Sequence, residues 1–183
     1  PNEFRFEHDG LPFTPKTLHS LNIQTSSKVR DDIIQVGQYG TGFLTTHKFG
    51  LKFELSGALY IKECGKYLDF CGLRFDRSPR NKEEMIENLK AQQAIIANLA
   101  TSEDSIKRLR DHTEAHTVFS YKQEHAIERE RAEEAFLAAP DMTPHVLALN
   151  ELINSITYTD ETSGRTSRFE RRDKQILERN ELY

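Results

Sequence analysis

Two glycine elements near the start of the chain have residue types and spacing that could do chemistry. The first is His8-Asp9-Gly10, followed by Leu11-Pro12-Phe13, and the second, about thirty residues on, is Gly37-Gln38-Tyr39-Gly40-Thr41-Gly42-Phe43. A glycine at the end of a strand lets the backbone approach a flat base with no Cβ in the way. A Gly-x-x-Gly-x-Gly run opening a helix turns backbone N–H groups and the positive end of the helix dipole toward phosphates. Together the two elements outline a nucleotide site. Taken alone, Asp-Gly is an ordinary turn. The glycine spacing also resembles a dinucleotide fingerprint, but that needs a strand directly before the glycines and a crossover to a second strand. Here a polar loop precedes them, and the residues after Leu51 read as an antiparallel meander. No Gly-Lys-Ser/Thr follows, which excludes a Walker A loop.

The elements that must position these groups follow from periodicity. Residues 3–7 alternate polar and aromatic, as in a half-buried strand. Thr14 is an N-cap and Pro15 a first helical residue for a short helix to about Leu21. Residues 22–36 read as a polar loop, and a second helix is expected from Phe43 to about Phe49. Residues 51–76 read as two or three antiparallel strands with turns at Gly57 and at Gly65-Lys66. Asn81 caps a helix starting at Lys82, whose inner face is Met85, Leu89, Gln92, Ile96 and Leu99. A second βαβ-like unit is expected beyond it: a strand at 116–121, a helix from Glu124 to about Ala139, and a turn bounded by Pro140 and Pro144. A buried segment at 145–149, a strand at 153–159 and a returning strand at 165–172 complete it.

The run GQYGTGF (Gly37–Phe43) resembles the phosphate-lid motif of the GHKL (Bergerat-fold) ATPases. HDGLPF (His8–Phe13) stands where that family carries its adenine-binding box. With Ser26-Ser27-Lys28 between them, the wording is closest to the heat-shock-chaperone and sacsin-like branch. Later stretches (Phe75–Leu89, Val118–Lys122, Pro144–Ile156) resemble segments that follow the ATPase core there. The resemblance implies an α+β, Bergerat-type sandwich, a mostly antiparallel sheet covered by helices, followed by a transducer-like unit. The corresponding divisions are 1–80 for the C-terminal part of the ATP-binding domain, 81–115 for a helical connector and 116–183 for the transducer start. It implies ATP with Mg2+ as ligand. His8, Asp9 and Gly10 would face the adenine, and residues 25–36 would form a mobile lid. Gly37, Tyr39, Gly40, Thr41, Gly42 and Phe43 would surround the β- and γ-phosphates, and Lys28 would offset their charge.

The sequence departs from the family pattern in one place. The Asp that accepts from the adenine amino group stands two residues before the glycine in the family, and that position is His8 here. A neutral histidine can accept through one ring nitrogen. The catalytic Glu and the Mg2+-binding Asn are expected upstream of Pro1, as is the true N-terminus. The implied function is ATP-driven lid closure in a larger chaperone-like or signalling protein, with slow hydrolysis and ATP-linked homodimerisation. The alternative is a catalytically inactive scaffold for protein contact.

Composition sets the remaining bounds. The 183 residues carry 30% charged side chains and a net charge of −4, without the basic excess of a nucleic-acid binder. No apolar run is long enough for a membrane span, and with two cysteines a reducing cytoplasm is expected. Cys64, Cys71, His112 and His116 lack the spacing of a zinc knuckle, so structural roles are expected, with Cys71 on a buried strand position. The seven charged residues between Glu124 and Glu134 read as a solvated helix face. Arg165, Arg168, Arg171, Arg172 and Lys174 read as a basic strand edge, and Asp76-Arg77 as an ion pair or turn.

Overall fold

A computed structural model describes residues 3–22, 46–101 and 108–171. Among them the chain is mixed α+β, with a five-stranded antiparallel sheet and three α-helices. It separates into two compact units, 2–132 and 133–183.

In the first unit, β1 (Glu3–His8) leads to α1 (Pro15–Asn22), and the hairpin β2 (Lys52–Ile61) and β3 (Lys66–Asp76) precedes α2 (Lys82–Thr101). The short β4 (Arg108–Leu109) and β5 (Thr117–Lys122) follow, in the sheet order β1-β5-β2-β3-β4. Alternation decides the faces. Phe53 and Leu55 of β2, Leu68, Phe70, Leu73 and Phe75 of β3, and Phe119 and Tyr121 of β5 form one buried cluster with Leu18 of α1 and Ile96 of α2. Both helices therefore cover the same face, where Phe53 and Phe75, paired in register, stack at 4.8 Å. On the other face Glu54 pairs with Arg74 at 3.0 Å, and Lys122 approaches Glu54 to 4.0 Å.

Several expectations are revised. Gly57 is not a turn: β2 runs through it with a shift of register between Leu55 and Gly57. A bulge keeps both halves on one strand, because Gly57 reaches a φ of +155° and passes close to Thr117. On α2, Gln92 and Ile96 are buried, but Met85 is exposed. The βαβ expectation fails because β5 pairs antiparallel with both β1 and β2, inside the first sheet.

The helix α3 (Ala126–Leu149) contains the unit boundary and continues through Pro140 and Pro144, where a turn was expected. Each proline removes one helical N–H, opposite the Phe136 and Pro140 carbonyls; at the neighbouring Ala139 carbonyl, Thr143 Oγ1 donates at 3.1 Å and Tyr158 Oη lies at 3.4 Å. Of residues 145–149 only Leu147 is buried. The hairpin β6 (Ser155–Asp160) and β7 (Arg165–Glu170) pair only with each other and turn at Gly164, with φ of +68°. Arg165 and Arg168 are exposed on this hairpin, whereas Arg171 folds back on the Leu147 and Asn150 carbonyls. Arg172 and Lys174 lie outside the described residues.

Candidate functional site

The first candidate element sits at the end of β1. Phe4, Phe6 and His8 alternate onto the covered face, and the chain then turns at Asp9-Gly10. The turn is closed by the His8 ring: Gly10 N–H donates to His8 Nδ1 at 3.1 Å. A Cβ on Gly10 would come within 3.0 Å of that same nitrogen, so the closure favours glycine. The chain next passes the start of β5 and bonds to β2, with Phe13 N–H donating to Ala58 O at 2.9 Å and Tyr60 N–H to Phe13 O at 2.7 Å. Thr14 then caps α1 reciprocally: Thr17 N–H donates to Thr14 Oγ1 at 3.1 Å, and Thr14 N–H to Thr17 Oγ1 at 2.7 Å.

The His8 ring is half-buried, with Phe6 at 5.8 Å and Phe119 at 6.3 Å between ring centroids. Burial holds its pKa below the ordinary imidazole value; the Asp9 charge acts against this shift and His116 with it. Beside it, His116 Nδ1 and Glu7 Oε1 are 2.7 Å apart, and that contact pulls the Glu7 carboxyl below its usual range.

A second cluster surrounds Arg77, just past β3. Its Nη2 donates to Leu21 O at the end of α1 (3.1 Å), its Nη1 lies 3.3 Å from His47 Nε2, and its guanidinium stands 5.0 Å over the Phe53 ring. Burial lowers the pKa of both Arg77 and His47, and the guanidinium adds to the shift on His47. Burial also raises Tyr121, 5.3 Å from Phe53 between ring centroids. A cation at the last carbonyls of a helix is favourably placed. One guanidinium thus touches both Leu21 and His47, residues that flank the stretch 23–45. Phe119 and Phe53, 6.0 Å apart, join the His8 side of the sheet to the Arg77 side on one face.

Of the residues the sequence singles out, His8 joins this face through Phe119, and Asp9 and Gly10 are exposed in the turn that follows it. Lys28, Gly37, Tyr39, Gly40, Thr41, Gly42 and Phe43 lie outside the described residues; of the helix expected up to Phe49, Thr46–Lys48 form a 3-10 turn. Asp76 forms a turn, its Oδ1 accepting from Ser78 N (2.8 Å) and Oγ (2.5 Å). Cys71 is exposed, contrary to expectation, because it alternates with the buried Leu68 and Phe70 and so falls on the other face of β3, where Ser56 Oγ donates to its Sγ at 3.5 Å. Among the described residues no group of three His, Cys, Asp or Glu could hold a metal. A shallow concavity at the β3–α2 junction, lined by Asp76, Ser78, Arg80, Glu84 and Glu87, contains none of the expected site residues.

Arg77, His47 and Phe6 were not anticipated as site residues. Arg77 carried a weak signal as a cation directly after a strand, but its partners are thirty and fifty-six positions away. Comparison with protein families, with curated proteins and with solved structures finds no match.

Proposed function

We propose that this chain carries part of a GHKL-type nucleotide site, with a Bergerat-like sheet, in a protein that couples nucleotide binding to conformational change. The two glycine elements of the sequence would supply its base and phosphate ends. The observation that carries it is that His8–Gly10 and the residues flanking the glycine-bearing stretch lie on one sheet face, bridged by Phe119 and Phe53. A nucleotide has its base and phosphates at opposite ends, so its two recognition elements must share a face. The antiparallel sheet with helices on one side and a charged face on the other fits the same architecture.

In this reading the base lies at His8–Gly10, against the exposed Phe6 ring, and the backbone of Gly37, Gly40 and Gly42 meets the phosphates. ATP is the nucleotide the family resemblance suggests. A second reading, a scaffold that binds no nucleotide, is favoured by one feature: the Nδ1 lone pair of His8 is already used by Gly10.

Isothermal titration of the full chain with a non-hydrolysable ATP analogue, and with its inosine and guanosine counterparts, tests the site. Binding of at least one nucleotide, lost in Gly40→Glu and Gly42→Glu, is the expected result. Affinity unchanged by either substitution refutes the placement of the phosphates at 37–43. Absence of binding by all three nucleotides favours the scaffold.

A further inference from the structure

We propose that the outer edge of β6 pairs with β6 of a second copy of this chain, closing a two-fold dimer that needs no nucleotide. Among the described residues the β6–β7 hairpin forms a sheet of its own, and its two edges differ in chemistry. The β7 strand carries Arg165, Arg168 and Glu170, and charges on an edge discourage further pairing. From Ser155 to Thr159, β6 reads Ser-Ile-Thr-Tyr-Thr, with no charge, glycine or proline. An edge of that composition is a template for another strand. The direction of its backbone groups follows from one bond: Arg171 N–H donates to Asn154 O at 2.8 Å, in the register of the hairpin. Bonded pairs alternate along an antiparallel ladder. Ile156 and Tyr158 therefore turn their N–H and C=O groups toward β7, and Ser155, Thr157 and Thr159, all exposed, turn theirs outward.

These outward groups are self-complementary. A two-fold axis perpendicular to the sheet at Thr157 sets Thr157 against its own copy, and Ser155 against Thr159 of the second copy. Each such pair exchanges two N–H···O bonds. On the face covered by α3, Ile156 then meets Tyr158 of the second copy, a favourable pairing of a β-branched with an aromatic side chain on both sides of the axis. Tyr158 is already held on that face by Phe136, at 6.1 Å between ring centroids, and by Thr143 Oγ1, 2.7 Å from its Oη. Moving the register by two residues would set Ile156 against Asp160 or Tyr158 against Asn154, so side-chain pairing selects the register centred on Thr157. A two-stranded sheet is marginal by itself, and the dimer makes it four-stranded. The strand order β7-β6-β6-β7 leaves only the charged edges outside, which stops growth at two copies.

Sedimentation equilibrium of the full chain without nucleotide, over micromolar to millimolar concentrations, tests the proposal. A reversible monomer–dimer equilibrium is expected. Thr157→Pro removes an N–H that faces away from β7, so the hairpin keeps its own ladder while the dimer loses both bonds at its centre. Association should weaken roughly tenfold or more. Thr166→Pro removes an outward N–H on β7 instead and should leave association unchanged. Thr157→Lys places like charges against each other across the axis, with Arg168 beside each; it should also weaken association, and mixing it with Thr157→Glu should restore a mixed dimer. Where circular dichroism shows that a proline variant has not folded, the mixed dimer decides alone. A monomer at every concentration, a dimer equally stable in folded Thr157→Pro and Thr166→Pro, or a mixture that associates no better than Thr157→Lys alone overturns the proposal. Association that appears only on adding a nucleotide overturns it as well.

Discussion

Gly57 is where the fold that presents His8–Gly10 is most sensitive to a single methyl group. Here β2 bulges beside the start of β5, immediately before the residues that bond Phe13. Alanine at 57 meets two penalties. Its φ of +155° lies in a region that residues with a Cβ avoid, which costs about 1–3 kcal/mol. The new Cβ would also stand 3.2 Å from Thr117 Cα and 3.2 Å from Thr117 Oγ1. Because the Cα belongs to the backbone of a strand held on both sides, it cannot give way without shifting β5, and such overpacking costs about 1–3 kcal/mol. Gly57→Ala should therefore lose about 2–6 kcal/mol, a large share of a typical stability of about 5–15 kcal/mol. Gly65→Ala supplies the control. Its φ is +65°, but a Cβ there meets nothing within 4 Å, so only the backbone cost of about 1–2 kcal/mol applies. Urea unfolding, followed by circular dichroism with a common slope, measures both. A Gly57→Ala loss within about 0.5 kcal/mol of the Gly65→Ala loss would refute the close-packing argument.

Two further predictions concern the groups around the site. Arg77→Lys keeps the charge but lacks the planar fork that holds Leu21 O and His47 together; it should cost roughly 1–2 kcal/mol in urea unfolding, and a neutral result would mean that these contacts contribute nothing. Stability should also fall on mild acidification. His8 and His47 both have folded pKa values held down by burial, so the unfolded chain takes up their protons first. Their contribution is complete above the ordinary value of about 6.5 and is lost as pH falls from there through the folded values. Glu7, also held low, keeps its contribution until pH drops below the ordinary carboxylate value of 4.5. The urea midpoint should thus be level above about pH 7 and decline below about pH 6.5, less steeply in His47→Gln; a midpoint that rises between about pH 7 and 5.5 would contradict the sign.

Much of the chain was legible without coordinates because local chemistry governs it. The alternation at 3–7, the Thr14-Pro15 start of α1 and the Asn81 start of α2 depend on neighbours within a few residues, and all appear in the structure. The His8-Asp9-Gly10 turn was legible for the same reason. What the sequence left open required partners far along the chain. The place of β5 between β1 and β2 depends on registers spanning more than sixty residues. The passage of α3 through Pro140 and Pro144 runs against the local rule that proline breaks a helix interior. Arg77 gains its role from Leu21, His47 and Phe53, which come together only when the sheet and α1 pack. The identity of residue 8 was plain from the sequence, but which of its nitrogens is spoken for was decided by how the turn closes. A hydrogen bond of 3.1 Å depends on backbone direction as well as on residue type.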